Sequence, residues 1–322
     1  MTLRFARPVF VALTLLSGSA WAQSGYPNKP IHFIVPFPPG GGAESTARLI
    51  AVKLSEAVKQ PVVVETRAGA GGNIGTEAVV NAAPDGYTIL LNTNGSAIQP
   101  YLQKLTWDPI RDLAPVSLVA TYSLVIAAHP STPGNTLKEM VAYAKAHPGK
   151  LTYGSSGTGG PLHLGAEMFK KAAGVDILHV PYKGNAPATL AILGGEVNLT
   201  FDSLVGPLPN IRAGKLKALA TTGVKRATML PEVPTVTETG VAHFSYESWN
   251  GISVPAATPK DIVQRLNREI VRIVALPDTH DQLIKLGYEP VSTTTAQFAK
   301  RIAADYQSYG RVIHELGLKA GQ

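Results

Sequence analysis

No cysteine occurs in the 322 residues. A disulfide framework and a lipid-modified cysteine are therefore excluded, and the fold must rest on its own core. Charge is sparse, at 16%, and the Lys and Arg residues are scattered without runs or interleaved aromatics, which gives nucleic-acid binding little support. Long apolar runs are missing too. The run Val9 to Leu16 stops at Ser17-Gly18-Ser19, short of the ~20 residues a membrane span needs. The eight histidines show neither H-E-x-x-H nor a close His/Asp/Glu grouping, so no metal is expected. No segment matches G-x-x-x-x-G-K-[ST], and Gly69 to Gly75 misses G-x-G-x-x-G, so nucleotide binding has little support and no cofactor is expected.

What is present is a globular composition, 45% hydrophobic, on a chain long enough for two ordinary domains or one large one. Residues 1–22 read as a secretory leader. Arg4 and Arg7 form its basic start, Val9 to Leu16 its apolar core and Ala20-Trp21-Ala22 an A-x-A cleavage site. The mature chain is expected to begin at Gln23, outside the cytoplasm. The formal charge of +7 falls to +5 once Arg4 and Arg7 are removed. A mild basic surface of this kind helps gather small anions, although solubility alone also accounts for it.

The chain is organised around Pro36-Phe37-Pro38-Pro39-Gly40-Gly41-Gly42-Ala43-Glu44-Ser45, between the apolar run Ile31 to Val35 and an amphipathic segment, Thr46 to Val58. That order reads as strand, tight loop and helix. Glycines let backbone N–H groups approach a bound group, and a helix starting there turns unpaired N–H groups and partial positive charge toward it. A bare Gly-rich turn has the same composition, but the device recurs. Strand Val62 to Glu65 leads into Ala68-Gly69-Ala70-Gly71-Gly72-Asn73-Ile74-Gly75 and a short helix, Thr76 to Ala83. Strand Tyr87 to Asn92 leads into the polar loop Thr93-Asn94-Gly95-Ser96. Strand Lys150 to Tyr153 leads into Gly154-Ser155-Ser156-Gly157-Thr158-Gly159-Gly160 and the helix Pro161 to Ala173. Strand Asp176 to Pro181 leads into Tyr182-Lys183-Gly184-Asn185-Ala186-Pro187, and Val197 to Phe201 into Asp202-Ser203. Ligands of open α/β sheets sit outside such strand ends.

Val116 to Ala128 is an apolar run long enough to cross between lobes, Phe244 to Val254 reads as a second crossing strand, and Pro259 to Leu318 is mostly amphipathic helix that must pack on something, the first lobe being the candidate. These features predict an α/β clamshell of two lobes joined by two crossing strands, with anion-holding loops on facing edges. The expected division is 23–123 plus 248–322 for one lobe and 124–247 for the other. A second reading is a secreted serine-dependent hydrolase using Ser155 or Ser156, with His163 or His179 as base and Asp202 as orienting acid. Gly154 to Thr158 misses the nucleophile-elbow pattern G-x-S-x-G because its fifth residue is Thr158. Asp202 also suits a turn residue or a partner for a ligand ammonium or hydroxyl. Lys183 is a candidate partner for an acid or a solvated surface lysine.

Several of these segments, YPNKPIHFIVPFPPGGG, VVVETRAGAGGNIGTEAV, PDGYTILL, YGSSGTGGPLHLGAEMFKKAAGVDILHVPYKG, PEVPTVTETG and ESWNGISVPAATP, resemble in order the motifs of the Bug family. These are periplasmic solute-binding receptors of tripartite tricarboxylate transporters. The resemblance runs from about Tyr26 to the C-terminus. It implies a type II periplasmic binding-protein fold, a non-enzymatic role, and a di- or tricarboxylate, acidic amino acid or aromatic carboxylate held by loop amides and ordered waters. It also implies delivery to integral-membrane permease subunits; a receptor serving a sensor protein would read the same. The chain is expected to act as a monomer. Carried onto this sequence, the ligand loops fall on Phe37, Pro38, Pro39, Gly40, Gly41 and Glu44; on Gly72, Asn73 and Ile74; on Thr93, Asn94 and Ser96; on Ser155, Ser156, Gly157 and Thr158; and on Gly184, Asn185 and Ala186 with Asp202. Glu44 stands where the family usually has Asp, a cap one methylene longer with reach into the cleft. Thr66 and Ala68 replace the usual Asn and Pro, which implies a looser second loop.

Overall fold

The computed structural model describes residues 25–318; the expected leader and the start at Gln23 lie outside them. The chain runs β1 (Ile31–Val35), α1 (Gly42–Val58), β2 (Val62–Thr66), α2 (Asn73–Val80), β3 (Thr88–Thr93), α3 (Gly95–Leu102) and β4 (Leu113–Ser123). It continues through β5 (Val125–Ala128), α4 (Leu137–Ala146), β6 (Thr152–Ser155), α5 (Pro161–Ala173), β7 (Leu178–Pro181), α6 (Asn185–Leu193), β8 (Leu199–Asp202), α7 (Pro207–Arg212) and β9 (Lys217–Thr221). It closes with β10 (Glu247–Pro255), α8 (Lys260–Val274), α9 (Pro277–Lys285), β11 (Glu289–Pro290) and α10 (Thr295–Leu316).

Strand β1 is a nearly unbroken apolar run because both of its faces are covered: Ile31, Phe33, Ile34 and Val35 are all buried. It pairs in parallel with β2 and β3, while β10 enters antiparallel between β3 and β4, giving the order β11-β4-β10-β3-β1-β2. The second sheet has the order β7-β6-β8-β5-β9, with β6 parallel to β7 and β8 and with β5 antiparallel to β8 and β9. Helix α1 buries Ala47, Ile50, Ala51, Leu54 and Val58 at helical spacing. In both sheets the parallel strands deliver the chain to the same edge, which is where the glycine-bearing turns lie.

The expected two-lobed α/β fold is the one observed. Details differ where tertiary contacts outweigh local signals. Helix α1 begins at Gly42 rather than Thr46, so the third glycine is already helical. The segment expected as a polar loop at 93–96 starts helix α3 at Gly95, and that helix carries Pro100 within it. Packing of α3 against α10 holds it despite both helix breakers. Helix α10 buries Phe298, Ile302, Tyr309 and Ile313 and packs on β4 and α3, as the sequence implies. It also reaches the other lobe, where Glu315 meets Lys171 of α5 at 3.0 Å.

The lobes join at a knot of three residues. Only Leu124 separates β4 of one sheet from β5 of the other, and Thr222 follows β9 directly. The Leu124 N–H donates to the Thr222 hydroxyl at 2.8 Å, and that hydroxyl donates to the Tyr246 carbonyl at 2.7 Å. Backbone bonds from Thr222 to the Leu124 carbonyl and from Tyr246 to the Thr222 carbonyl complete the knot. All three residues are buried. Thr222→Val, which keeps shape but leaves a buried donor and acceptor unpaired, is therefore expected to cost about 2–3 kcal/mol. That corresponds to a melting temperature lower by roughly 5–10 °C, with Thr222→Ser close to wild type in the same thermal melt.

Candidate functional site

Turns from both lobes meet over a cavity of about 40 Å³. An open cleft of about 500 Å³ adjoins it, with Phe37 and Ser156 lining both. The lobes are in contact here. A Cβ at Gly184 would lie 2.8 Å from the Pro38 ring, one at Gly40 3.8 Å from the Ala186 Cβ, and one at Gly71 3.1 Å from the Thr158 carbonyl. Gly184 has φ +115, so glycine serves both the backbone conformation and the close approach at that position.

The inner cavity is built on helix starts. Gly42 and Ala43 of α1, Pro161 and Leu162 of α5 and Asn185 of α6 all line it. The N-caps of these helices are Gly41, Gly160 and Gly184, none with a side-chain cap. First-turn N–H groups of three helices, one from one lobe and two from the other, are thus left for a ligand, together with the positive ends of three helix dipoles. Among the described residues no Lys or Arg lines the inner cavity; Lys183 borders the outer cleft. The positive potential comes from backbone, which suits a carboxylate without fixing which one.

Among the expected site residues, Phe37, Thr93, Ser156 and Asn185 line the inner cavity, and Phe37, Pro38, Gly72, Ser156, Gly157, Thr158 and Gly184 line the outer cleft. Gly40, Gly41 and Ala186 sit at the contact between lobes. Pro39 borders neither chamber. Glu44 does not reach the cleft: it accepts the Gly40 N–H at 2.6 Å and the Arg48 Nε at 2.8 Å. The Gly40 N–H above all, with Arg48, holds its carboxyl below the usual range. Asn73 accepts from the Trp107 indole at 2.6 Å, and Ile74 is exposed. Ser96 donates to the Thr93 carbonyl.

Asn94 is fully buried and works from behind the site. Its Nδ2 donates to the hydroxyls of Tyr246 and Tyr309, each at 3.0 Å, while the Tyr246 hydroxyl donates to the carbonyl of Pro161, the first residue of α5. One side chain therefore ties the hinge to α10 and to a helix start of the site.

Ser155 closes β6 and is buried, with its Oγ 2.6 Å from His179 Nε2. The His179 ring stacks between Tyr153 and His163. Burial, reinforced by His163, pushes its pKa down to about 3, so the ring is neutral and shares a hydrogen bond with Ser155. His163 is likewise depressed by burial and accepts the Gly159 N–H at 3.2 Å. This is a scaffold for the turn. The hydrolase geometry is not assembled: the serine with a histidine is buried, and Ser156, the serine in the cleft, has no histidine bond. The Asp202 Oδ1 accepts from Asn185 Nδ2 and the Ser203 N–H, each at 2.7 Å. Burial raises the Asp202 pKa to about 7 in spite of those bonds.

Tyr122, Ser203, Asn250 and Tyr288 also line the inner cavity and were not expected there. Asn250 shares its crossing strand with other polar residues, Glu247, Ser248 and Ser253, so nothing local singled it out; Tyr288, carried in by α9 and β11, left no local signal either. Among the described residues, no grouping of three His, Asp or Glu is placed to hold a metal.

Two α/β lobes hinged at paired crossings and closing on an anion-accepting cavity define a bilobed solute-binding protein. The chain belongs to the tripartite tricarboxylate transporter family of receptors, whose family model matches residues 46–318. It is 36% identical to protein BugT of Bordetella pertussis over 314 residues, 97% of this chain and 96% of that one. Among solved structures, Rpa4515 of R. palustris with adipate superposes with a TM-score of 0.88 at 32% identity, covering 92% of this chain and 99% of that one. MatC of Rhodopseudomonas palustris with bound malate superposes with a TM-score of 0.83 at 29% identity, covering 89% and 100%. The Bug-family resemblance is thereby borne out.

Proposed function

We propose that this chain is a periplasmic receptor that closes on a small carboxylate and delivers it to the membrane permease of a tripartite tricarboxylate transporter. The observation that carries the reading is the convergence of three uncapped helix starts from both lobes on a cavity with no basic side chain. An anion that reaches all three completes unpaired N–H groups on both lobes at once and so favours the closed state. The adipate and malate held by structural relatives fit this chemistry. Export by the leader at 1–22 places the receptor where such a permease would meet it. In this role no bond is made or broken, a reading that the burial of the Ser155–His179 pair supports.

The test is a thermal melt of ligand-stripped protein against a panel including adipate, malate, succinate, glutamate and benzoate. A ligand at 100 times its Kd stabilises the native state by about 2.7 kcal/mol, a rise of roughly 5–10 °C. Folded protein that no member of the panel stabilises would overturn the reading. Ester turnover abolished by Ser156→Ala would replace it with a hydrolase.

A further inference from the structure

One residue lining the cavity carries a buried acceptor that the helix starts do not explain. Asn250 lies in β10 between β3 and β4, is 1% exposed and lines the cavity. Its Nδ2 donates to the Thr46 Oγ1 at 3.1 Å, and Thr46 donates its own proton to the Gly42 carbonyl at 2.9 Å. Because the Thr46 proton is committed, its oxygen can only accept, and this fixes which end of the Asn250 amide faces it. Oδ1 is left as the free end, buried and without a protein donor. Asn185, across the cleft, is arranged alike: its Nδ2 is held by Asp202 at 2.7 Å, and its Oδ1 is the nearest atom to the Cβ that Gly41 lacks, at 3.6 Å. An apolar residue at 250 would suit a central strand better, since a buried polar atom without a partner costs free energy. Local rules broken in this way mark functional positions.

Given the carboxylate reading of the helix starts, we propose that Asn250 makes this receptor select carboxylates that also carry a hydroxyl or ammonium donor, over analogues that lack it. The carboxylate meets the N–H groups of α1, α5 and α6, and the donor reaches Asn250 Oδ1. A site with a buried acceptor rejects an analogue without the donor because the acceptor then stays unpaired.

The experiment is titration calorimetry of ligand-stripped wild type and Asn250→Leu with matched pairs: malate with succinate, 3-hydroxybutyrate with butyrate, glutamate with glutarate. The first two pairs report on a hydroxyl, the third on an ammonium. Wild type is expected to bind the donor-bearing member of at least one pair about tenfold or more tighter. In Asn250→Leu that ratio should fall to within about twofold. Wild type that binds carboxylates without discriminating within any pair overturns the proposal and leaves the receptor reading standing. A ratio that persists in Asn250→Leu also overturns it. Absence of binding by every carboxylate overturns both. The wild-type ratios need no variant, and Asn250→Ala repeats the comparison should the leucine variant not fold.

Discussion

Ser156→Asp is expected to weaken carboxylate binding about a thousandfold while the protein still folds. Ser156 borders both the inner cavity and the outer cleft and is only half-buried, so an aspartate there keeps access to water when the site is unliganded. It places a second negative charge about 4 Å from the position of a bound carboxylate, a repulsion of about 4 kcal/mol at the effective dielectric of such sites. It also offers its own oxygens to the uncapped first turns of α5 and α6, competing with the ligand. Ser156→Ala removes one hydroxyl and should cost no more than about tenfold. The contrast between the two variants is the informative quantity, measured by calorimetry with whichever carboxylate gives the largest thermal shift. Equal losses in both would mean that the cavity reads shape rather than charge, and the convergence of helix starts would then not be what holds the ligand.

Why the site was partly readable in advance follows from where its chemistry resides. Backbone N–H groups at helix starts announce themselves through the glycines and prolines that shape such turns, so the loops carrying Phe37, Ser156 and Asn185 could be singled out from the sequence, and the family resemblance added the individual residues. Side chains that converge from distant strands could not. Tyr288 reaches the cavity only because β11 pairs with β4, and β11 is two residues long, with no pattern of its own. Asn94 and Glu44 went the other way. Both lie in ligand-loop segments, yet Asn94 is consumed by two tyrosine hydroxyls and Glu44 by a turn amide and an arginine. A polar residue in a glycine-rich turn can serve the turn or the ligand, and only the positions of its neighbours decide which. The fold was the more legible part, because strand, turn and helix recur with the same apolar spacing in both lobes; helix α3, with Gly95 and Pro100, is held by tertiary packing that no local pattern records.

Asp202 gives the receptor a pH dependence whose sign is fixed by its burial. Its pKa is about 7 in the folded protein against an ordinary value of 3.8. Between those values the native state holds a proton that the unfolded chain has lost. The contribution of this group to stability is therefore greatest below about pH 4, declines as the pH rises toward 7 and is level above that. The total change is on the order of 4 kcal/mol. Asp202→Asn keeps an oxygen for the Ser203 and Asn185 donors but cannot ionise, so its stability should lack that decline when chemical denaturation is followed from pH 4 to pH 8. Binding should respond in the same direction. Asp202 holds Asn185, which lines the cavity, and Ser203 beside it lines the cavity too. A carboxylate bound there favours the protonated form of Asp202. Wild-type affinity should then be roughly tenfold weaker at pH 8 than at pH 6, and Asp202→Asn should show no such change. His163 and His179 are both depressed by burial, His179 to about 3, so His179 stays neutral across this interval and His163 is shifted toward neutrality. Parallel pH profiles for wild type and Asp202→Asn would show that the buried carboxyl is ionised throughout, and that its bonds to Ser203 and Asn185 outweigh its desolvation.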